Sequence, residues 1–256
     1  TDPSTSFSVN DYLFLVAAAF GAGVMNTVAG GGTFLTFPAL VYAGIPPVAA
    51  NATSAVAVFP GYLAGAAGFR RELSSFDPRL LKRIVLLTAL GGLAGSGLLL
   101  VSSNRAFSLA VPFLLAFATL VFAFGDRLQT WARARALDTQ GGAASTLLVS
   151  AYGGYFNGGL GIVLLALFSL WGMRDLNTMN GLKNGLSFVL SLLSVVTFAW
   201  AGLVVWPQAM AMMAAAALGG YAGAPLARAL PRQVLRAIVI STGTIMSLLF
   251  FARLWA

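Results

Sequence analysis

Twice in this chain a glycine run interrupts an apolar segment. The first is Asn26-Thr27-Val28-Ala29-Gly30-Gly31-Gly32-Thr33, and the second is Asn157-Gly158-Gly159-Leu160-Gly161. Each glycine costs a helix about 1 kcal/mol against alanine, so neither run is expected to stay helical. The surroundings make this a severe constraint: 59% of the 256 residues are hydrophobic and only 9% are charged. A soluble domain carries about 25% charged residues, so lipid must solvate most of this chain. The apolar runs do not alternate in polarity, which excludes a barrel and leaves helices. Broken backbone at membrane depth survives only where protein or a water-filled cavity surrounds it. The breaks are therefore expected inside an all-α polytopic membrane protein, not on its lipid face.

The two breaks belong to a longer repeat with an offset of 128 residues. Gly91-Gly92-Leu93-Ala94-Gly95 matches Gly219-Gly220-Tyr221-Ala222-Gly223, Gly30-Gly31 matches Gly158-Gly159, and Gly44 matches Gly172. The chain divides into repeats 1–128 and 129–256 within one integrated membrane domain, with a polar linker over 126–142. In each half an apolar stretch (12–28, then 143–157) meets the break. A short apolar segment follows (33–43, then 160–171), and then three longer ones. These run over 48–68, 84–101 and 106–125 in the first half, and over 178–202, 207–227 and 234–252 in the second.

Lys and Arg decide how the short segments thread. If each fuses with the stretch before it, the better side of the membrane holds nine basic residues against five. If the chain turns back at each break, the 70–83 loop, the linker, Arg174 and the 228–236 loop share one side. Twelve basic residues then face two, Arg105 and Arg253. Cytoplasmic loops concentrate Lys and Arg, which favours the second threading. Each half is then a Gly-broken helical hairpin plus three transmembrane helices. An odd number of crossings per half makes the halves inverted repeats, with both termini outside. Thr1 to Asp11 is polar, has no basic n-region, and does not read as a signal peptide.

Helices restarting after Gly32 and Gly159 would aim free N–H groups at the protein interior, where they attract anions. The alternative use of such glycines is close helix packing. A second polar group lies at the starts of the following segments: Asn51, Thr53 and Ser54 in one half, Asn180, Lys183 and Asn184 in the other. Lys183 is the one clearly intramembrane charge, and such charges are usually functional; its alternative is to snorkel to the cytoplasmic face. The expected binding residues are Asn26, Gly30, Gly31, Gly32, Thr33, Asn51, Thr53, Ser54, Asn157, Gly158, Gly159, Asn180, Lys183 and Asn184. The expected partners are a small anion, the lipid bilayer and, left open, a second copy of the chain; the basic charge points to cytoplasmic loops and not to nucleic acid.

The chain has no Cys and no His, and all seven acidic residues (Asp2, Asp11, Glu72, Asp77, Asp126, Asp138, Asp175) lie in loops or at termini. Thiolate chemistry and His-ligated metals are thereby excluded, carboxylate-based proton antiport is disfavoured, and no catalytic residue, metal or cofactor is expected. A Ser–Lys hydrolase built on Lys183 is the one enzyme that could be drawn, and it ranks far below a transporter. A non-transporting subunit of a membrane complex ranks between them.

Several of these residues carry a resemblance to a known family. Phe20-Gly21-Ala22-Gly23, Ala29-Gly30-Gly31-Gly32-Thr33, Pro38-Ala39-Leu40, Gly44-Ile45-Pro46-Pro47 and Ala50-Asn51-Ala52-Thr53-Ser54 occur in that order in the first half. Gly158-Gly159-Leu160-Gly161, Asn180-Gly181-Leu182-Lys183-Asn184 and Leu218-Gly219-Gly220-Tyr221-Ala222-Gly223 follow in the second. Taken together they resemble the TauE/SafE-type sulfite exporters across nearly the whole chain. The resemblance implies export of sulfite, sulfoacetate or other organosulfonates across a bacterial cytoplasmic membrane. A carrier of another small anion, such as a carboxylate, is the runner-up.

Overall fold

The computed structural model describes residues 7–28, 31–74, 76–134, 142–229 and 232–255. All regular structure among them is helical. The first half holds α1 (Val9–Val28), α2 (Thr33–Tyr42), α3 (Pro47–Gly68), α4 (Arg70–Ser74), α5 (Pro78–Val101), α6 (Asn104–Ala123) and α7 (Gly125–Ala134). The second holds α8 (Ala143–Tyr155), α9 (Leu160–Leu170), α10 (Leu176–Trp200), α11 (Trp206–Ala229) and α12 (Arg232–Trp255). Among the described residues four stretches are both long and apolar enough to cross a membrane: Val9–Asn26, Pro78–Val101, Asn104–Val121 and Asn177–Trp200. The expected polar linker is corrected in its first part. There Asp126 to Ala134 belong to helix α7, because the segment alternates polar residues with Leu128 and Trp131 at helical spacing and packs along α9.

At each glycine run the chain reverses. Gly32 lies against Ala22 and Asn26, and a Cβ on Gly21 would meet Leu35 at 3.3 Å, so α2 runs back along α1. In the second half a Cβ on Gly153 would meet Leu160 at 2.9 Å, and the Tyr152 hydroxyl donates to the Gly158 carbonyl. Both short helices end in the same cap. Gly44 (φ 89°) and Gly172 (φ 79°) take the left-handed conformation that glycine adopts without steric cost. Around them the bonds Ala43 N to Ala39 O, Gly44 N to Val41 O and Ile45 N to Leu40 O recur as Trp171 N to Leu167 O, Gly172 N to Ser169 O and Met173 N to Phe168 O.

The halves interlock. α1 packs on α11 of the other half, and α8 packs on α5. Both seams bring backbone against backbone: a Cβ on Gly219 would overlap the Phe20 carbonyl, and one on Gly95 the Ala151 carbonyl. Between lipid-embedded helices there is no hydrophobic drive to associate, so close van der Waals packing through small residues supplies the cohesion. Helices at matching positions in the two halves also meet, and they run antiparallel. Phe59 of α3 stacks on Phe188 of α10 with centroids 5.3 Å apart, while Phe69, just past the end of α3, meets Gly181 near the start of α10. Phe113 of α6 sits edge-on to Phe251 of α12 at 5.1 Å, and Thr119 of α6 touches Gly243 of α12. Leu13, Leu86, Phe113, Leu148 and Leu218 point outward, as lipid-facing side chains do.

Candidate functional site

The reversals converge on a small, partly open space between the helices. Thr33, the first residue of α2, and Asn157, in the second break, both line it. Asn51 and Ala55 of α3 close one side. Ser191, Ser194 and Phe198 of α10 close the other, and Phe156 and the Gly153-Gly154 pair complete the wall. Its volume is about 10 Å³, room for about one water. As it stands, the space is too small for a solute larger than water.

The local chain explains the lining. α10 is apolar over most of its length but carries Ser187, Ser191 and Ser194 at helical spacings of four and three, which puts all three on one buried face. The Ser191 and Ser194 hydroxyls and the Asn157 Oδ1 are buried without a hydrogen-bond partner. An orphaned polar atom in a dry interior costs roughly 1–3 kcal/mol, and these three belong to residues that line the same cavity. Asn157 takes a positive φ of 58°, rare outside glycine, and its side chain is hydrogen-bonded to Tyr62 of α3. Asn51 Nδ2 donates to the Tyr155 carbonyl at 2.9 Å, tying the start of α3 to the end of α8. The first break is closed by its own bond instead, from Gly32 N–H to Asn26 Oδ1 at 2.8 Å.

Of the residues anticipated from sequence, the structure brings Thr33, Asn51 and Asn157 together at this cavity. Asn26, Gly31 (φ 110°) and Gly32 shape the first turn, and Gly158 and Gly159 (φ 69°) the second, without lining the space. Gly30 lies outside the described residues. Thr53 accepts a hydrogen bond from Val205 N at 3.1 Å, and Ser54 pairs with Thr36 at 2.6 Å; both hydroxyls are used within the fold. Lys183 donates to Asn180 Oδ1 at 3.1 Å, and its stem passes Gly161. It lies two turns before Ser191 on α10, about 12 Å along the axis, and Asn184 beside it is likewise off the cavity. Reading from sequence missed Ser191, Ser194 and Phe198. The serine stripe on an apolar helix was the available signal.

Over residues 15–250 the chain matches the family model described as "Sulfite exporter TauE/SafE". The chain belongs to the TauE/SafE sulfite exporter family. Its relatives in this family include a "Probable membrane transporter protein" of Haemophilus influenzae, 28% identical over 94% of this chain and 92% of that protein. "Probable membrane transporter protein ORF9" of a Sinorhizobium species is 27% identical over 89% of this chain and 87% of its own length. "Probable membrane transporter protein YfcA" of Escherichia coli K12 is 25% identical over 92% and 87%. No solved structure matches the chain significantly. Family membership and the long apolar helices together identify a multi-pass membrane protein of a transporter family. Within such a TauE/SafE protein, a cavity reached by both chain reversals is the natural candidate for the transport site.

Proposed function

We propose that this protein exports small sulfur oxyanions (sulfite, sulfoacetate or other organosulfonates) across a bacterial cytoplasmic membrane, with the cavity between the two breaks as its central binding site. The observation that carries the reading is the pair of unpartnered hydroxyls, Ser191 and Ser194, buried beside both broken hairpins. Hydroxyl donors and helix N-termini suit an oxyanion, whose unprotonated oxygens only accept. α2 and α9 both start at the breaks, so their positive dipole ends lie toward the site.

The two halves form inverted repeats in this reading, with the basic loops in the cytoplasm and both termini outside. The antiparallel crossing of α3 with α10 and of α6 with α12 supports it, because repeats related by an axis along the membrane normal would pair equivalent helices in parallel. Transport then proceeds as the hairpins widen the narrow cavity toward one side and then the other. An anion leaving a cell with a negative interior gains about 2.3 kcal/mol per charge per 100 mV, so export needs no coupling ion. The chain has no histidine, and the one carboxylate within an apolar helix, Asp11, sits in the first turn of α1 and is tied to Ser8, so uniport driven by the potential is the simplest cycle.

Flux from liposomes holding the purified protein tests the proposal. Vesicles loaded in turn with sulfite, sulfoacetate, taurine or acetate are assayed with and without an imposed potential. The expected result is efflux of sulfur anions that quickens when the interior is made negative. Efflux of acetate but of no sulfur anion would replace the substrate class with carboxylates. Flux indifferent to potential but driven by a pH gradient would reject uniport.

A further inference from the structure

We infer that the central site takes singly charged oxyanions, hydrogensulfite and monosulfonates, and rejects dianions. The inference rests on the transport reading above and narrows its substrate class. Among the described residues none of the side chains lining the cavity carries a charge. Two helix starts turn positive dipole ends toward it, while the nearest charge, Lys183, passes Gly161 in the first turn of α9, is held by Asn180 and stays outside the lining. α2, of 10 residues, begins with the lining residue Thr33; α9, of 11 residues, begins three positions after the lining residue Asn157. Each helix N-terminus is equivalent to roughly half an elementary charge, so the pair balances about one negative charge and not two. The penalty for taking an ion out of water grows with the square of its charge, so a dianion meets about four times the cost of a monoanion of the same size. The Ser191 and Ser194 hydroxyls supply hydrogen bonds but no net charge, and the unpartnered Asn157 Oδ1 adds a negative dipole end to the same lining. Phe156 and Phe198 make the rest of the wall apolar, which penalises a strongly hydrated ion further.

The titratable side chains on the helices around the cavity are few. They are Tyr62 on α3, hydrogen-bonded to Asn157, then Tyr42 at the far end of α2, Tyr152 and Tyr155 on α8, and Lys183 on α10, held by Asn180. None of these side chains lines the cavity, so the pH dependence of sulfite transport is expected to follow the protonation of the substrate, with methanesulfonate reporting any titration of the protein.

The test uses the whole protein in liposomes, with protein-free vesicles subtracted, and two probes between pH 6 and pH 8. Inorganic sulfite exchanges a proton near neutral pH, whereas methanesulfonate keeps one charge throughout. The expected result is a fall in sulfite flux of about tenfold over this range, tracking hydrogensulfite, while methanesulfonate flux stays level. Sulfite flux that is level or rises with pH, beside level methanesulfonate flux, would overturn the inference and leave sulfur-anion export standing. Parallel changes for both probes would also overturn it, since the protein would then be the titrating partner. Flux of neither probe would remove the transport reading itself.

Discussion

The side-chain amide of Asn51 donates to the backbone carbonyl of Tyr155, 2.9 Å away and 104 positions further along the chain. It satisfies a carbonyl at the point where α8 stops and the second break begins, and it reaches there from the opposite half. Asn51 is 4% exposed, so bulk water has little access to that carbonyl. Asn51→Ala is expected to cost about 1–3 kcal/mol by leaving that carbonyl unpaired. Thermal unfolding of the detergent-solubilised variant reads this directly; an unchanged midpoint would show that the bond holds nothing together.

Two glycines of the interlocking seams should not tolerate a methyl group. Gly219→Ala would drive a Cβ into the Phe20 carbonyl, and Gly95→Ala into that of Ala151. Each is expected to lose about 1–3 kcal/mol through forced separation of its helix pair. Gly97, also in α5, has nothing within 4 Å of an added Cβ, so Gly97→Ala should be neutral or gain up to about 1 kcal/mol of helix propensity. Equal stability loss at positions 95 and 97 would contradict the packing described.

The threading of the hairpins can be read by labelling, because the chain has no cysteine of its own. Ser8→Cys, Pro46→Cys and Ser74→Cys place single thiols at exposed positions. An impermeant maleimide is expected to reach positions 8 and 46 from one side of the membrane and position 74 from the other. Positions 8 and 46 on opposite sides would mean that α1 and α2 form one continuous crossing, and the inverted repeat would fall with it.

Ser191 and Lys183 share α10 but should behave differently. Removing a hydroxyl that donates to a bound anion costs about 1.5 kcal/mol, so Ser191→Ala is expected to raise the KM for transport roughly tenfold. Lys183→Gln, two turns away and engaged with Asn180, should leave KM within about twofold. Reversed effects in the flux assay would move the site toward the start of α10.

Asp175 makes the start of α10 acid-sensitive. Its carboxylate accepts from the Thr178 hydroxyl and backbone N–H, and these bonds hold its pKa below the usual aspartate value. A carboxylate depressed in the folded state stabilises fully above its unfolded pKa, about 3.9, and that contribution fades as pH falls through the lower folded value. Stability should therefore be level from pH 8 to 5 and decline below about 4. Asp175→Asn keeps a capping oxygen and should shrink that decline; an identical acid profile would show that Asp175 plays no part in it.

What could be read from residue order alone was whatever depends on local backbone or on solvent. Three neighbouring glycines cannot continue a helix, so the breaks and the short helices after them were legible: α2 occupies Thr33–Tyr42 where 33–43 was expected, and α9 Leu160–Leu170 where 160–171 was. Gly44 and Gly172 stood out as matching positions and form matching caps, because a left-handed residue is a local demand. The scarcity of charge named lipid as the solvent. Only the tertiary structure decided which polar groups meet. Thr53 and Ser54 looked as available as Asn51, yet helix rotation turned them to Val205 and Thr36. Ser191 and Ser194 form a polar stripe visible in sequence, but only the crossing of α10 with α3 brings them to the breaks. A cavity is made by faces that lie more than a hundred residues apart, and no local rule carries that distance.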